Sequence, residues 1–145
     1  MIAVDTNILV HAFREGSPFH GRALACLRSL TEGTQAWAVP WPCVHEFLAV
    51  ATHPRIPPGA AALADAVAAV DAWMASPTLA LIAESAVHWD TLKSLALAGQ
   101  IKAGLVHDAR IAALCLAHGV RELWTADRDF GRFPALRVVN PLVPA

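Results

Sequence analysis

The stretch IAVDTN at residues 2–7 is a short apolar run that stops at three polar residues. After it, apolar residues recur at helical spacing at Ile8, Leu9, Ala12 and Phe13. The pattern predicts a buried strand, a turn and a helix, in that order. A strand that leads directly into a helix is the repeating unit of α/β folds, in which helices cover a central sheet.

The rest of the chain continues this alternation, with proline and glycine between the apolar segments. Further strands are predicted at residues 36–39, 79–82, 122–125 and 137–140. Further helices are predicted at residues 19–30, 43–52, 60–75, 84–98 and 107–118, with a connecting loop at residues 54–59. Because parallel neighbours must be joined by crossovers, this order predicts a three-layer α/β/α fold around a parallel sheet of four to five short strands.

Length and composition indicate a single globular domain. Its 145 residues suit a single domain spanning residues 1–145, and a hydrophobic fraction of 56% excludes disordered and fibrous proteins. The apolar excess also predicts self-association. A formal net charge of -1 argues against a highly basic protein that coats nucleic acid.

The cysteines and the apolar runs indicate a compartment. Cys26, Cys43 and Cys115 are odd in number and form no C-x-x-C pattern, which predicts free thiols in a reducing compartment, the cytoplasm. No uncharged apolar run approaches the ~18 residues that a membrane span needs, and the run at the amino terminus already ends at Asp5. We therefore predict neither membrane insertion nor secretion.

Five acidic residues stand near predicted strand ends or helix starts, namely Asp5, Glu46, Asp108, Asp127 and Asp129. In open parallel sheets, ligands bind beyond the carboxyl ends of the strands. Carboxylates brought together there raise one another's pKa, so a cluster that is ionised at neutral pH needs a cation at its centre. A set of oxygen ligands favours Mg²⁺ or Mn²⁺ over Zn²⁺.

The four aspartates also have an ordinary structural explanation, whereas Glu46 is harder to explain in this way. Asp5 and Asp108 suit the start of a helix, where a carboxylate accepts backbone N–H groups and favours the helix dipole. If the chain stays extended, Asp127 and Asp129 point the same way; the alternative is an Asx-turn. Glu46 lies among apolar residues of a predicted helix, where an ionised side chain requires compensation.

The segments IAVDTN at residues 2–7, VHDA at residues 106–109 and TADRDF at residues 125–130, together with Glu46, resemble the motifs of PIN-domain ribonucleases, with VapC toxins as the most similar subgroup. The resemblance covers essentially the whole chain. It implies a PIN-like fold and an Mg²⁺-dependent endoribonuclease, the toxin of a type II toxin–antitoxin system, in which Mn²⁺ can replace Mg²⁺. It also implies a homodimer and a VapB-type antitoxin whose carboxyl-terminal segment covers the acidic pocket.

Carried over residue by residue, the resemblance implies that Asp5 and Asp108 are metal ligands. It implies that Glu46 and Asp127 complete the acidic pocket, directly or through water. Asp129 is the alternative to Asp127, because relatives differ in whether the last acid stands immediately before the phenylalanine or two residues earlier.

Phosphodiester hydrolysis requires a deprotonated water, neutralisation of charge on the phosphate and stabilisation of the leaving alkoxide, and a divalent metal supports all three. On this hypothesis, Glu46 or Asp127 orients or deprotonates the water. Arg110 or Arg128 approaches the scissile phosphate.

Two other functions stay open at this point. A haloacid-dehalogenase-like phosphatase also begins with a strand that ends in Asp and uses Mg²⁺, but that resemblance requires a second Asp where this chain has Asn7. A non-catalytic PIN-like module that binds RNA or protein has the same fold. The motifs G-x-x-x-x-G-K-S/T and G-x-S-x-G are absent, and Ala49 occupies the position of the second histidine of a zinc-protease motif.

Overall fold

The computed structural model describes residues 1–56 and 59–144. The strands are β1 Ile2–Val4, β2 Trp37–Pro40, β3 Leu79–Ile82, β4 Glu122–Trp124 and β5 Arg137–Val139. In the described part of the chain they form one sheet in the order β3-β2-β1-β4-β5, and every neighbouring pair is parallel. The central parallel sheet predicted from the sequence is confirmed.

The helices are α1 Thr6–Phe13, α2 His20–Thr31, α3 Trp41–Ala51, α4 Leu63–Met74, α5 His88–Ala98 and α6 Leu105–Ala117, and a short 3-10 helix covers Arg128–Arg132. α1 packs on α2 and α3, and α3 packs on α4, whereas α5 and α6 pack together. From β1 the chain adds β2 and then β3 on one side, and it then crosses back over the sheet to add β4 and β5 on the other side of β1. Right-handed crossovers therefore place the two groups of helices on opposite faces of the sheet, which confirms three layers.

β1 and β2 form the centre of the core. Ala3 and Val4 of β1 are fully buried, because helices cover both faces of the sheet. A strand covered on both faces needs apolar side chains on both sides, so it appears in the sequence as a continuous apolar run. Trp37 of β2 is also fully buried, and its indole Nε1 donates to Ser76 Oγ at 3.1 Å, which satisfies its polar group.

β1 and β4 pair in parallel at the middle of the sheet, with Val4 opposite Trp124. The strand order changes sides here, because β2 and β3 are added on one side of β1, and β4 and β5 on the other. In such sheets the crossovers leave in opposite directions at this point and open a crevice at the carboxyl ends of the two strands. Asp5 and Thr125 follow these strands directly, and the Asp5 N–H still donates to Trp124 O at 3.0 Å. The sheet thus places both residues at the crevice.

Several helices begin two to four residues away from the predicted start. α3 begins at Trp41 rather than at residue 43, because Pro42 fits the first turn of a helix, where its missing N–H is not needed. α4 begins at Leu63 rather than at residue 60, and residues 57 and 58 of the predicted loop lie outside the described residues. α5 begins at His88 rather than at residue 84, which leaves Glu84 in the loop after β3. The other predicted boundaries agree within two residues.

The cysteines and the tryptophans differ in how deeply they are buried. Cys43 and Cys115 are buried free thiols, and Cys26 is a partly buried one. Trp89 on α5 is 65% exposed, so it does not belong to the core. Every helix within residues 1–56 and 59–144 falls short of what a membrane span requires in length and apolar character.

Candidate active site

A cleft of about 770 Å³ opens at the carboxyl edge of the sheet. Four acidic residues line it, namely Asp5 after β1, Glu46 in α3, Asp108 in the first turn of α6 and Asp127 after β4. They come from widely separated segments, and the parallel sheet brings them to one edge. Four of the five acids singled out from the sequence therefore share one cleft.

Asp5 is the buried acid of this cleft, with 6% of its surface exposed. Its Oδ1 accepts from the Thr6 backbone N–H at 2.8 Å and from the Cys43 thiol at 3.4 Å. Its Oδ2 accepts from the Thr125 hydroxyl at 2.8 Å and from the Asn7 side-chain amide at 3.1 Å. Burial raises the pKa of Asp5, and the hydrogen bonds from Thr125, Thr6 and Cys43 oppose this rise. Asp5 therefore caps α1 and also stands in the acidic cleft.

Thr125 connects the turn after β4 to the end of β1, and it is 1% exposed. Besides donating to Asp5, its hydroxyl accepts from Asn7 Nδ2 at 2.9 Å and from the Asp127 backbone N–H at 3.0 Å. Asn7 Oδ1 accepts from the Ala126 backbone N–H at 2.9 Å. This network fixes the orientation of the Asp5 carboxylate before any ligand binds.

Glu46 faces the cleft and is exposed, and the Thr6 hydroxyl donates to its Oε2 at 3.0 Å. Its neighbours Val44 and Phe47 are buried. The expectation that Glu46 needs compensation within apolar surroundings is wrong, because residues adjacent in a helical sequence point to different sides of the helix.

Three carboxylates of the site lie close together. Asp108, Asp127 and Asp129 each offer an oxygen within 4.8 Å of the others. Burial, followed by the negative charges of Asp127, Asp5, Asp129 and Glu46, raises the pKa of Asp108 to about 6. A divalent cation relieves this repulsion, and an all-oxygen donor set is the kind that Mg²⁺ and Mn²⁺ prefer. The residues present therefore fit a hard divalent cation.

The segment after β4 does not stay extended. Asp127 Oδ1 accepts from the Asp129 backbone N–H at 2.9 Å, and the 3-10 helix follows at once. The extended alternative is wrong and the Asx-turn alternative is correct. The turn still keeps both carboxylates beside Asp108; Asp127 lines the cleft, whereas Asp129 is exposed.

Two members of the site were not recognised from the sequence. In the sequence, Asn7 is notable only because it stands where a phosphatase of the haloacid-dehalogenase type requires a second Asp. In the structure its amide donates to Asp5 and Thr125, and this role does not support the phosphatase alternative. The sequence predicts Cys43 only as a free thiol, and in the structure this thiol donates to Asp5 Oδ1. Burial raises the pKa of that thiol well above its usual range, so Cys43 acts as a hydrogen-bond donor and not as a nucleophile. Neither contact has a local sequence signal, because each depends on a tertiary partner.

Comparison with known proteins agrees with this geometry. The family model of the PIN domain matches residues 2–136. Ribonuclease VapC48 of Mycobacterium tuberculosis is 30% identical over 137 residues, which cover 94% of each chain. Ribonuclease VapC33 of the same species is 30% identical over 142 residues, which cover 98% of this chain and 99% of the relative.

Solved structures show the same fold. VapBC2 from Rickettsia felis, bound to a DNA fragment from its promoter, matches with a TM-score of 0.69 at 20% identity, covering 97% of this chain and 98% of that one. VapC20 of Mycobacterium tuberculosis, a toxin that cleaves the sarcin-ricin loop, matches with a TM-score of 0.64 at 19% identity, covering 90% and 93%. This chain therefore belongs to the PIN-domain family. Its curated relatives within that family are VapC ribonucleases.

Proposed function

We propose that this protein is the toxin of a VapBC-type toxin–antitoxin pair and acts as a metal-dependent endoribonuclease. The observation that carries the proposal is the cleft that Asp5, Glu46, Asp108 and Asp127 line together. The curated relatives carry the name ribonuclease, and the structural neighbours include a toxin–antitoxin complex from Klebsiella pneumoniae. RNA is therefore the proposed substrate, and hydrolysis of a phosphodiester bond is the proposed reaction.

The proposed cofactor is Mg²⁺, with Mn²⁺ as a substitute. Asp5 and Asp108 are the proposed ligands, and Asp127 and Asp129 lie close enough to Asp108 to take part directly or through water. When bound, such an ion lowers the pKa of water and stabilises negative charge on the phosphate and the leaving oxygen. The all-oxygen donor set and the raised pKa of Asp108 support a cation at this place.

The chain's own residues orient the reactants. Glu46 is held by the Thr6 hydroxyl and faces the cleft, so its carboxylate is the proposed acceptor of the proton from the attacking water. Asp5 is already oriented by Thr125 and Asn7, and a preoriented group does not need to reorganise when the reaction occurs.

The test is cleavage of total cellular RNA by the purified chain, free of any antitoxin, in Mg²⁺ or Mn²⁺, with the new RNA ends mapped. Asp108→Asn should lower the cleavage rate by about 100-fold or more, and a chelator should abolish cleavage. Asp71→Asn is the matched control, because Asp71 is exposed on α4 and does not line the cleft. Cleavage by Asp108→Asn at the normal rate, or cleavage that survives the chelator, contradicts the proposal.

We also propose a homodimer and a VapB-type antitoxin that covers the cleft. α5 packs on α6 with only partly buried residues, and its Trp89 and Leu97 are 65% and 74% exposed. An interface between copies removes such apolar surface from water. The molar mass of the purified chain in solution tests the dimer. A monomeric wild type contradicts the dimer. If the wild type is a dimer and Leu97→Glu is a monomer, the result supports α5 as the interface.

A single domain over residues 1–145 and a cytoplasmic location complete the proposal. An RNA substrate and three free cysteines fit a reducing compartment. A single cooperative unfolding transition, seen equally by fluorescence and circular dichroism, is expected for one domain, and two separate transitions contradict it.

A further inference from the structure

Arg110 is the one lysine or arginine that lines the acidic cleft, within the residues that the structure describes. It lies on α6, two residues after Asp108, and four carboxylates share the lining with it. An RNA phosphate that enters this cleft meets charges of its own sign. A fixed positive charge on the wall reduces that repulsion.

Glu84, in the loop after β3, holds the guanidinium of Arg110. Its Oε1 accepts from Arg110 Nε at 2.9 Å and from Arg110 Nη2 at 2.6 Å. The two side chains are 40% and 42% exposed, and an exposed ion pair contributes little to stability. Across the described residues no hydrogen bond uses Arg110 Nη1. One edge of the guanidinium is therefore held while the other stays available.

The position of the side chains distinguishes Arg110 from Arg128, which the sequence left as equal candidates for a phosphate contact. Arg128 is exposed in the 3-10 helix and does not line the cleft. Arg110 lines it, and a planar guanidinium presents paired N–H groups that match two phosphate oxygens.

We propose that Arg110 binds a backbone phosphate of the RNA in the cleft and that Glu84 positions its guanidinium for this contact. The proposal rests on the ribonuclease function proposed above and adds a residue that selects a phosphodiester chain. Lysine at this place keeps the charge but loses the two-point contact with Glu84 and with the phosphate.

The first test compares Arg110→Gln and Arg110→Lys with Arg137→Gln by steady-state cleavage of a single-stranded RNA. Arg137 is the matched control, because it also pairs with an acid, Glu122, at 3.7 Å and does not line the cleft. Arg110→Gln should lower kcat/KM by about 10-fold, as expected for the loss of a hydrogen bond between charged groups. Arg110→Lys should lie between Arg110→Gln and the wild type, and Arg137→Gln should match the wild type.

The salt dependence separates a phosphate contact from a structural role. In a plot of log kcat/KM against log salt concentration, loss of one phosphate contact should make the slope shallower by about 0.7. A purely structural effect leaves the slope unchanged. An unchanged slope for Arg110→Gln, or an unchanged kcat/KM, overturns the proposal.

Glu84 is tested by two variants. Glu84→Ala removes the acceptor and should lower kcat/KM by about threefold, whereas Glu84→Gln keeps an acceptor oxygen and should stay near the wild type. Adding Glu84→Ala to Arg110→Gln should cause no further loss, because the two residues act as one unit. If both Glu84 variants raise kcat/KM, then Glu84 competes with the phosphate and the positioning role is overturned.

Failure of this proposal is distinct from failure of the proposed function. A wild type that does not cleave RNA with any divalent metal refutes the ribonuclease. An active wild type with an equally active Arg110→Gln refutes the phosphate contact alone. Thermal unfolding of each variant checks folding, and Arg110→Lys keeps the comparison valid if Arg110→Gln unfolds.

Discussion

Thr125→Val removes one hydroxyl from the centre of the acidic site and keeps nearly the same side-chain volume. The hydroxyl donates to Asp5 at 2.8 Å and accepts from Asn7 Nδ2 at 2.9 Å and from the Asp127 N–H at 3.0 Å. Because Thr125 is 1% exposed, water cannot replace these bonds without opening the site. The substitution therefore tests whether this hydroxyl orders the carboxylates.

The expected loss of stability follows from these contacts. A hydrogen bond to a charged group contributes about 1.5–3 kcal/mol, and a buried donor left without a partner costs about 1–3 kcal/mol. Asn7 retains one amide N–H bond to Asp5, but its other amide N–H and the Asp127 backbone N–H both lose their acceptor. The free energy of unfolding should fall by about 3 kcal/mol, which corresponds to roughly 6–12 °C in Tm for a chain of this size.

Thr125→Val should also change the protonation of Asp5. The hydrogen bond from Thr125 lowers the pKa of Asp5, so its removal lets burial raise that pKa further. A carboxylate must lose its proton to bind a metal. The affinity for Mn²⁺ at a given pH should therefore fall, and the acid limb of the cleavage profile should move to higher pH.

Urea unfolding at pH 7 measures the stability, and calorimetric titration with Mn²⁺ measures the metal affinity. Thr125→Ser is the matched control, because it keeps the hydroxyl and loses one buried methyl group, at a cost of about 1 kcal/mol. Serine should preserve metal binding and valine should weaken it. If Thr125→Val has normal stability and normal Mn²⁺ affinity, or if Thr125→Ser weakens Mn²⁺ binding as much as Thr125→Val does, the hydroxyl does not order the carboxylates.

Three further predictions concern the protonation of Asp108, the packing of Phe47 in the core and the thiol of Cys43. The pKa of Asp108 is about 6 in the fold against an ordinary value of 3.8, so the folded state retains this proton longer. In EDTA, the free energy of unfolding should therefore decrease as pH rises from about 4 to 6, and Asp108→Asn should remove this part of the slope in denaturant titrations. Phe47→Ala should lower the free energy of unfolding by about 3–5 kcal/mol in urea, since Phe47 is fully buried and packs edge-on against Phe13 and Trp73; a loss below about 1 kcal/mol would contradict this packing. Cys43→Ala should retain RNA cleavage, because a protonated thiol at 3.4 Å is a weak donor, and complete inactivity with a normal fold would point to a chemical role for the thiol.

The class of fold can be predicted from the amino-acid sequence, because it depends on the local spacing of apolar residues. The apolar run at residues 2–4 has the length and continuity of a strand covered on both faces, and β1 is such a strand. Its polar ending at Asp5 marks the carboxyl end of β1, where a ligand site is expected. Errors arose where a local signal had two meanings. The helix predicted from residue 43 begins at Trp41 and has Pro42 in its first turn, and Glu84, the first residue of the helix predicted over residues 84–98, lies in a loop.

The arrangement of the acidic side chains depends on contacts between distant parts of the chain. The bond between Thr125 and Asp5 joins residues 120 positions apart, and no local pattern encodes that contact. The same holds for the turn that brings Asp127 beside Asp108, and for the choice between Arg110 and Arg128. Spacing within a helix or strand determines which side of that element a residue occupies. Distances between side chains on different elements depend on the strand order and on the face that each crossover covers, and those are properties of the whole packed chain.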